Sequence, residues 1–137
     1  MNKRIEILKV IGDETRLRIL NLLIKNTTGI CVCELMYSLL LHQYKASKAL
    51  GILKKAGLLE IDKQGLWVYY KLNMDNSINK HVFKFLNNFL VGDIFKDDDE
   101  RLNDRLLLRK NDNCIVGILP ENELHEIIRA KKSEVNI

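Results

Sequence analysis

"GICVCELMYSLLLHQYKASKALGILKKAGLLE", residues 29–60, carries two helical patterns in succession. The first, "ICVCELMYSLL", reads as a short helix. After Leu41 the second, "HQYKASKALGILKKAG", puts Ala46, Ala49, Leu50, Leu53 and Ala56 on one face and ends at Gly57. Its first two turns present Gln43, Tyr44, Lys45, Ser47 and Lys48 instead of apolar residues. Upstream, Asp13 can cap a helix through "ETRLRILNLLI", where Leu17, Leu20, Leu23 and Ile24 form an apolar stripe with Arg16, Arg18 and Asn21 elsewhere. Downstream, "LLEIDKQGLWVYYKL" alternates and is rich in aromatic and β-branched residues around Gln64 and Gly65, the pattern of a two-stranded hairpin.

Two short helices, a third with a polar and basic start, and a hairpin predict a mainly α fold with a small β element, a winged helix-turn-helix. In that arrangement the third helix enters the major groove while its apolar face is held by the core. Gln43 could pair with adenine, while Tyr44, Lys45, Ser47 and Lys48 hold bases or backbone; Lys63 and Gln64 at the hairpin tip could reach a neighbouring phosphate or the minor groove. Taken singly, these residues are also what any exposed helix face carries.

The 137 residues, 47% of them hydrophobic, suffice for one compact domain with a tail and are too few for two ordinary domains. The charge is uneven. Residues 1–80 carry 13 Lys+Arg against 7 Asp+Glu, whereas residues 81–137 carry 9 against 11, so the basic excess belongs to the segment with the helix-turn-helix pattern. No window is apolar enough for a membrane span or a signal peptide, and three cysteines are too few for a disulfide scaffold; a cytoplasmic protein is expected. Nor is an enzyme expected, since no phosphate-cradling glycine loop, Ser/His/Asp spacing or convincing carboxylate pair is present.

Beyond the hairpin, "NSINKHVFKFLNNFLVG" is amphipathic, with Ile78, Val82, Phe85, Leu86 and Phe89 on one face. So rich a face late in a small domain points to a second copy of the chain as its partner. The acidic run "KDDDE", residues 96–100, reads as a solvated helix start or linker. The chain is therefore divided into residues 1–95, for DNA binding and dimerisation, and a C-terminal extension, 96–137. The extension offers an apolar-periodic "RLNDRLLLR", an extended "CIVGIL" and a Pro-initiated helix in "PENELHEIIRAKK", but no assigned role.

In order, "IGDETRLRILNLL", residues 29–60 and "KQGLWVYYKL" resemble the ArsR/SmtB family of metalloid- and metal-responsive repressors. The resemblance covers about residues 5–90 and rests on a D-x-T-R-L-R-I-L opening, a C-V-C-[DE]-L element, a Q-x-x-x-S-x-x-L-x-x-L-x-x-x-G-L recognition helix and a G-x-x-x-x-Y wing. It implies a homodimer formed by the first and last helices of this core, Ile5 and Leu8 with the Ile78 to Phe89 face. It also implies an operator of imperfect two-fold symmetry, released when As(III) or Sb(III) binds to cysteine thiolates. Two positions depart from the family pattern: Ala49 stands where many members carry His, and Gly51 lies inside the recognition helix.

The thiols are Cys31, Cys33 and Cys114. Residues two apart on a helix point about 200° from each other, so Cys31 and Cys33 need either a distorted first turn or a ligand that distorts it. Because their helix leads into the recognition helix, drawing the sulfurs together could reorient the reading head. Arsenite-sensing relatives place a third cysteine three residues after the second; here that position is Met36, a soft but weak ligand. A small exogenous thiol or hydroxide could complete the site, or Cys114 could fold back to do so; Cys114 may equally be expected to fill a core as a small apolar group. A sensor of Cd(II) or Pb(II) would depend more heavily on Cys114. A thiol redox protein is the remaining alternative, but the C-x-x-C spacing is absent. The family's Asp/His zinc site is not expected, because Asp75 and His81 lack the second His and following acid that complete it.

Overall fold

The computed structural model describes residues 2–135. Its elements are α1 (Lys3–Ile11), α2 (Glu14–Lys25), β1 (Ile30–Cys31), α3 (Val32–Leu39), α4 (Gln43–Lys55), β2 (Leu59–Gln64), β3 (Trp67–Leu72), α5 (Ser77–Phe89), α6 (Asp93–Leu106) and α7 (Glu121–Val135). Among these, no helix is long and apolar enough to cross a membrane.

The expected caps and breaks form. Asp13 accepts the Arg16 backbone N–H at 3.0 Å and starts α2. Gly57, at φ +80°, ends the α4 segment in the left-handed region that a side chain disfavours. The hairpin pairs β2 with β3 antiparallel, from Leu59 opposite Leu72 to Gln64 opposite Trp67. One element escapes the alternation: β1, two residues long, adds a third strand on the other side of β3, with Ile30 opposite Tyr70 and Cys31 opposite Tyr69. Gly29 permits this approach. Its φ is +106°, and a Cβ there would lie 3.0 Å from that of Tyr69.

The main core joins Ile7, Ile19, Leu20, Leu22, Leu23, Leu35, Leu50, Leu53 and Phe83 with Leu102 of α6. Three expectations change here. First, α2 is buried well beyond the anticipated stripe: Ile19, Asn21 and Leu22 are inside as well. The reason is α6, which covers the polar flank and meets Asn21 and Arg18 through Asp99 and Asp98.

Second, the acidic run is no linker. Asp98 is fully buried and accepts from Arg18 Nε at 2.8 Å, Arg18 Nη2 at 2.7 Å and Arg101 Nη2 at 2.8 Å. Buried carboxylates persist when charge and lone pairs are satisfied in this way. The boundary drawn at 95/96 consequently falls within α6, a helix that packs on α2 and α3.

Third, Leu86 belongs to the interior at 1% exposure rather than to a free face. The inward row of α5 is Asn79, Phe83 and Leu86, with Ile78 and Val82 half-buried beside it. Asn79 is tolerated inside because its Nδ2 donates to the Gly57 and Asn73 carbonyls, both at 2.9 Å. The outward row keeps Phe85 and Phe89, 56% and 62% exposed and stacked with centroids 4.8 Å apart.

Candidate functional site

Cys31 is not a helical residue. It caps α3 with extended backbone, φ −81° and ψ 158°, and is held in the sheet by β3. The 200° relation of two helical residues therefore does not apply to this pair, because the first side chain leaves a strand and the second leaves a helix. The Cys31 N–H donates to Glu34 Oε1 at 3.0 Å, fixing the turn between them.

Cys114 arrives from the irregular segment between α6 and α7, 81 residues beyond Cys33. Its sulfur lies 3.7 Å from that of Cys33. Its N–H donates to Tyr69 Oη at 2.8 Å, so the hairpin holds this segment in place. Cys31, Cys33, Cys114 and Tyr69 form a buried cluster with Trp67 against it. The Val116 carbonyl faces both Cys33 Sγ, at 3.7 Å, and Cys114 Sγ, at 3.5 Å. Tyr69 and Trp67, residues of the hairpin, thus also shape the thiol site.

Mutual hydrogen bonding polarises the thiols. Donation from Cys114 and Cys31 holds Cys33 down to about 4, in spite of burial. Cys31 is pushed up by its hydrogen bonds to Cys114 and Cys33 and by burial. Cys114 is favoured as thiolate by Cys31, yet its bond to Cys33 and its burial outweigh that and raise it. Within the cluster, Cys33 is the sulfur these contacts favour as thiolate.

Charged side chains that the sequence reading did not single out surround it. Glu34, fully buried, accepts from Arg109 Nε and Nη2, both at 2.7 Å. Arg109 Nη2 also donates to the Gly29 carbonyl at 2.9 Å, and the guanidinium lies 5.5 Å from the Tyr69 ring centroid. Arg105 is 1% exposed and donates through Nη2 to Val116 O at 2.6 Å and Gly117 O at 3.2 Å. Arg101 Nε and Arg18 Nη2 reach the carbonyls of Ser38 and Leu39, the last turn of α3. The signal available was the four-residue spacing of Arg101 and Arg105 along one helical row of α6; Arg109, past the end of that helix, carried none.

Among the described residues, the one grouping of ligand-type side chains close enough to share an ion is Cys31, Glu34 and Cys114, with donor atoms within 4.8 Å of one another. Glu34 is committed to Arg109; Cys33 falls outside this grouping, although its sulfur is 3.7 Å from that of Cys114. Met36 does not enter the cluster. It lines, with Cys33, Tyr37, Leu40, His42 and Leu119, a cavity of about 340 Å³ between α3 and the C-terminal segment. His42 and His81 stand apart on the surface, and His125 contacts Tyr37 and Glu121.

From α3 the chain turns through Leu40, at φ 55°, to His42, the N-cap of α4. Gln43, Tyr44, Lys45, Ser47 and Lys48 are all exposed on its first turns, and Lys63 and Gln64 are exposed at the hairpin tip. Gln64 Nε2 donates to Asp62 Oδ2 at 2.9 Å. Ile5 and Leu8 of α1 are 51% and 65% exposed, like the Phe85/Phe89 pair.

The family description "Bacterial regulatory protein, arsR family" matches residues 13–60, from the cap of α2 into β2. The arsenical resistance operon repressor of Escherichia coli (strain K12) is 44% identical over 69 residues, half of this chain and 58% of that repressor, so little more than half its length is represented. An uncharacterized HTH-type transcriptional regulator of Methanocaldococcus jannaschii is 40% identical over 85 residues, 62% of this chain and 92% of the relative. The solved structure of reduced HlyU from Vibrio cholerae superposes with a TM-score of 0.58 at 30% identity, covering 66% of this chain and 90% of that one. Helix order, hairpin and these matches together place the chain in the ArsR family of bacterial regulatory proteins.

Proposed function

We propose that this chain is a homodimeric transcriptional repressor that holds operator DNA through α4 and the hairpin and releases it when a thiophilic ion is bound by Cys31, Cys33 and Cys114. The observation that carries the reading is the meeting of three thiols, two from the start of α3 and one from far along the chain, at the helix leading into α4. Two sulfurs bound to one ion at about 2.3 Å with tetrahedral angles stand about 3.8 Å apart; the Cys33 to Cys114 separation is 3.7 Å. All-sulfur donors favour soft ions over oxygen-seeking ones. Trivalent arsenic or antimony is the inducer suggested by the arsenical resistance relative, and Cd(II) or Pb(II) is the alternative the same three donors serve.

Each residue then has a task. Gln43, Tyr44, Lys45, Ser47 and Lys48 face the major groove, and Lys63 and Gln64 touch the flanking backbone. Ile5, Leu8, Phe85 and Phe89 cover one another across the two-fold axis, with Ile78 and Val82 at the edge of the contact. Cys114 replaces the thiol missing at Met36. Drawing the Cys31 sulfur onto an ion held by Cys33 and Cys114 shifts the start of α3, and α4 follows because two residues, Leu40 and Leu41, separate α3 from its cap.

The test uses a duplex selected from a random pool by the reduced protein, followed by fluorescence anisotropy with As(III), Sb(III), Cd(II), Pb(II) or Zn(II) added separately. Release by a soft ion, lost in Cys33→Ser and Cys114→Ser, is the expected result. Failure to select any duplex removes the DNA-binding reading, and a bound duplex indifferent to every ion removes the sensing one.

A further inference from the structure

Among the described residues, Arg105 is a buried cation with no carboxylate partner. Its side chain is 1% exposed, its Nη2 is spent on the Val116 and Gly117 carbonyls, and its Nε has no hydrogen-bond partner. Among the described residues it makes no ion pair, whereas the neighbouring acid, Glu34, is neutralised by Arg109. Arg105 and the sulfurs of Cys33 and Cys114 meet at the same Val116 carbonyl. An isolated buried charge is costly, so the surroundings should supply a negative one.

We infer that Arg105 is the counter-charge of the three-thiol site and selects divalent thiophilic ions over trivalent arsenic or antimony. The inference rests on the three-thiol reading above and names the ion class it takes. The chemistry follows from counting charge. A divalent ion and three thiols give a tris-thiolate complex of net charge −1 and three released protons. Arsenious acid, As(OH)₃, and three thiols give a neutral As(S)₃ unit and three waters, each hydroxide leaving with one thiol proton. No electron moves in either case. Only the divalent complex neutralises the guanidinium, and among buried groups that difference is large.

The experiment compares the wild type with Arg105→Gln and Arg105→Lys, reading Cd(II) and Pb(II) affinity from sulfur-to-metal charge-transfer absorption and As(III) affinity by competition with a small dithiol. Arg105→Gln should weaken Cd(II) and Pb(II) by about tenfold or more while leaving As(III) within about twofold, and Arg105→Lys should restore most of the loss. An equal loss for both classes would assign Arg105 to propping residues 116–117, and no loss for either would remove the charge role. Both outcomes overturn the inference. Should Arg105→Gln fold only when loaded, As(III) should rescue it better than Cd(II), and equal rescue overturns the inference too. Binding that survives Cys33→Ser and Cys114→Ser, or its absence for both classes in the wild type, would instead sink the three-thiol site itself.

Discussion

Helices α3 and α4 are consecutive in the chain and opposite in construction. Six of the eight residues of α3 are buried, and its charged neighbours grip it at both ends: Arg109 at Glu34, and Arg18 with Arg101 at the carbonyls of Ser38 and Leu39. In α4, four of thirteen residues are buried, all of them apolar, and the first turns project freely. On the reading proposed above, the difference separates two jobs. A helix that reads a surface needs one face fixed and the other open, whereas a helix that transmits a signal needs contacts that can exist in two arrangements. Beside Arg18 of α2, the contacts to α3 come from Arg101 of α6 and Arg109 after it, so on the proposed reading the C-terminal region is where a choice between such arrangements would be made.

The strongest way to break this contrast is at Asp98. Asp98→Asn leaves Arg18 and Arg101 facing a neutral amide in a closed site, and urea denaturation should show a loss of about 3 kcal/mol; a loss below about 1 kcal/mol would mean that α6 does not hold α3 in solution. Tyr69→Phe removes the acceptor of the Cys114 N–H. It should cost about 1 kcal/mol and weaken ion binding while leaving affinity for the duplex unchanged, and an equal fall in both would show that the hairpin does not serve the thiols separately. Within α4, Gly51 has open space where a Cβ would stand, so Gly51→Ala should stabilise by about 0.5–1 kcal/mol. Destabilisation instead would place α4 under constraints its exposure hides. The smallest effect on stability, within about 0.5 kcal/mol, belongs to Lys45→Ala and Lys48→Ala, which should each lower the salt dependence of duplex binding by about one unit of slope. A stability loss larger than that in either variant would contradict the free standing of this face.

The N-terminal architecture was legible because its signals are local. Asp13 caps α2, Gly57 ends the α4 segment, and alternation across Gln64 and Gly65 forms the hairpin, each within a few residues of sequence. What escaped is what long-range contacts decide. Two residues are too few for alternation to announce a strand, so Cys31 passed as helical until Tyr69 paired with it. "KDDDE" looked solvated because nothing nearby says that Arg18, 80 residues earlier, would meet Asp98. On α5 the apolar residues outnumber the places inside, and pattern alone did not sort Phe83 and Leu86 from Phe85 and Phe89. Cys114 was named as a possible third sulfur, but its arrival depends on Tyr69, 45 residues away, rather than on its own neighbours.

The 81 residues between Cys33 and Cys114 also set an order of events during synthesis. At about 5–20 residues per second, a ribosome needs roughly 4–16 s to travel from one cysteine codon to the other. Residues 13–60 leave the exit tunnel first, so a newly made chain would acquire its DNA-reading part before its third thiol exists. On the proposed reading, it would be deaf to its inducer for that interval.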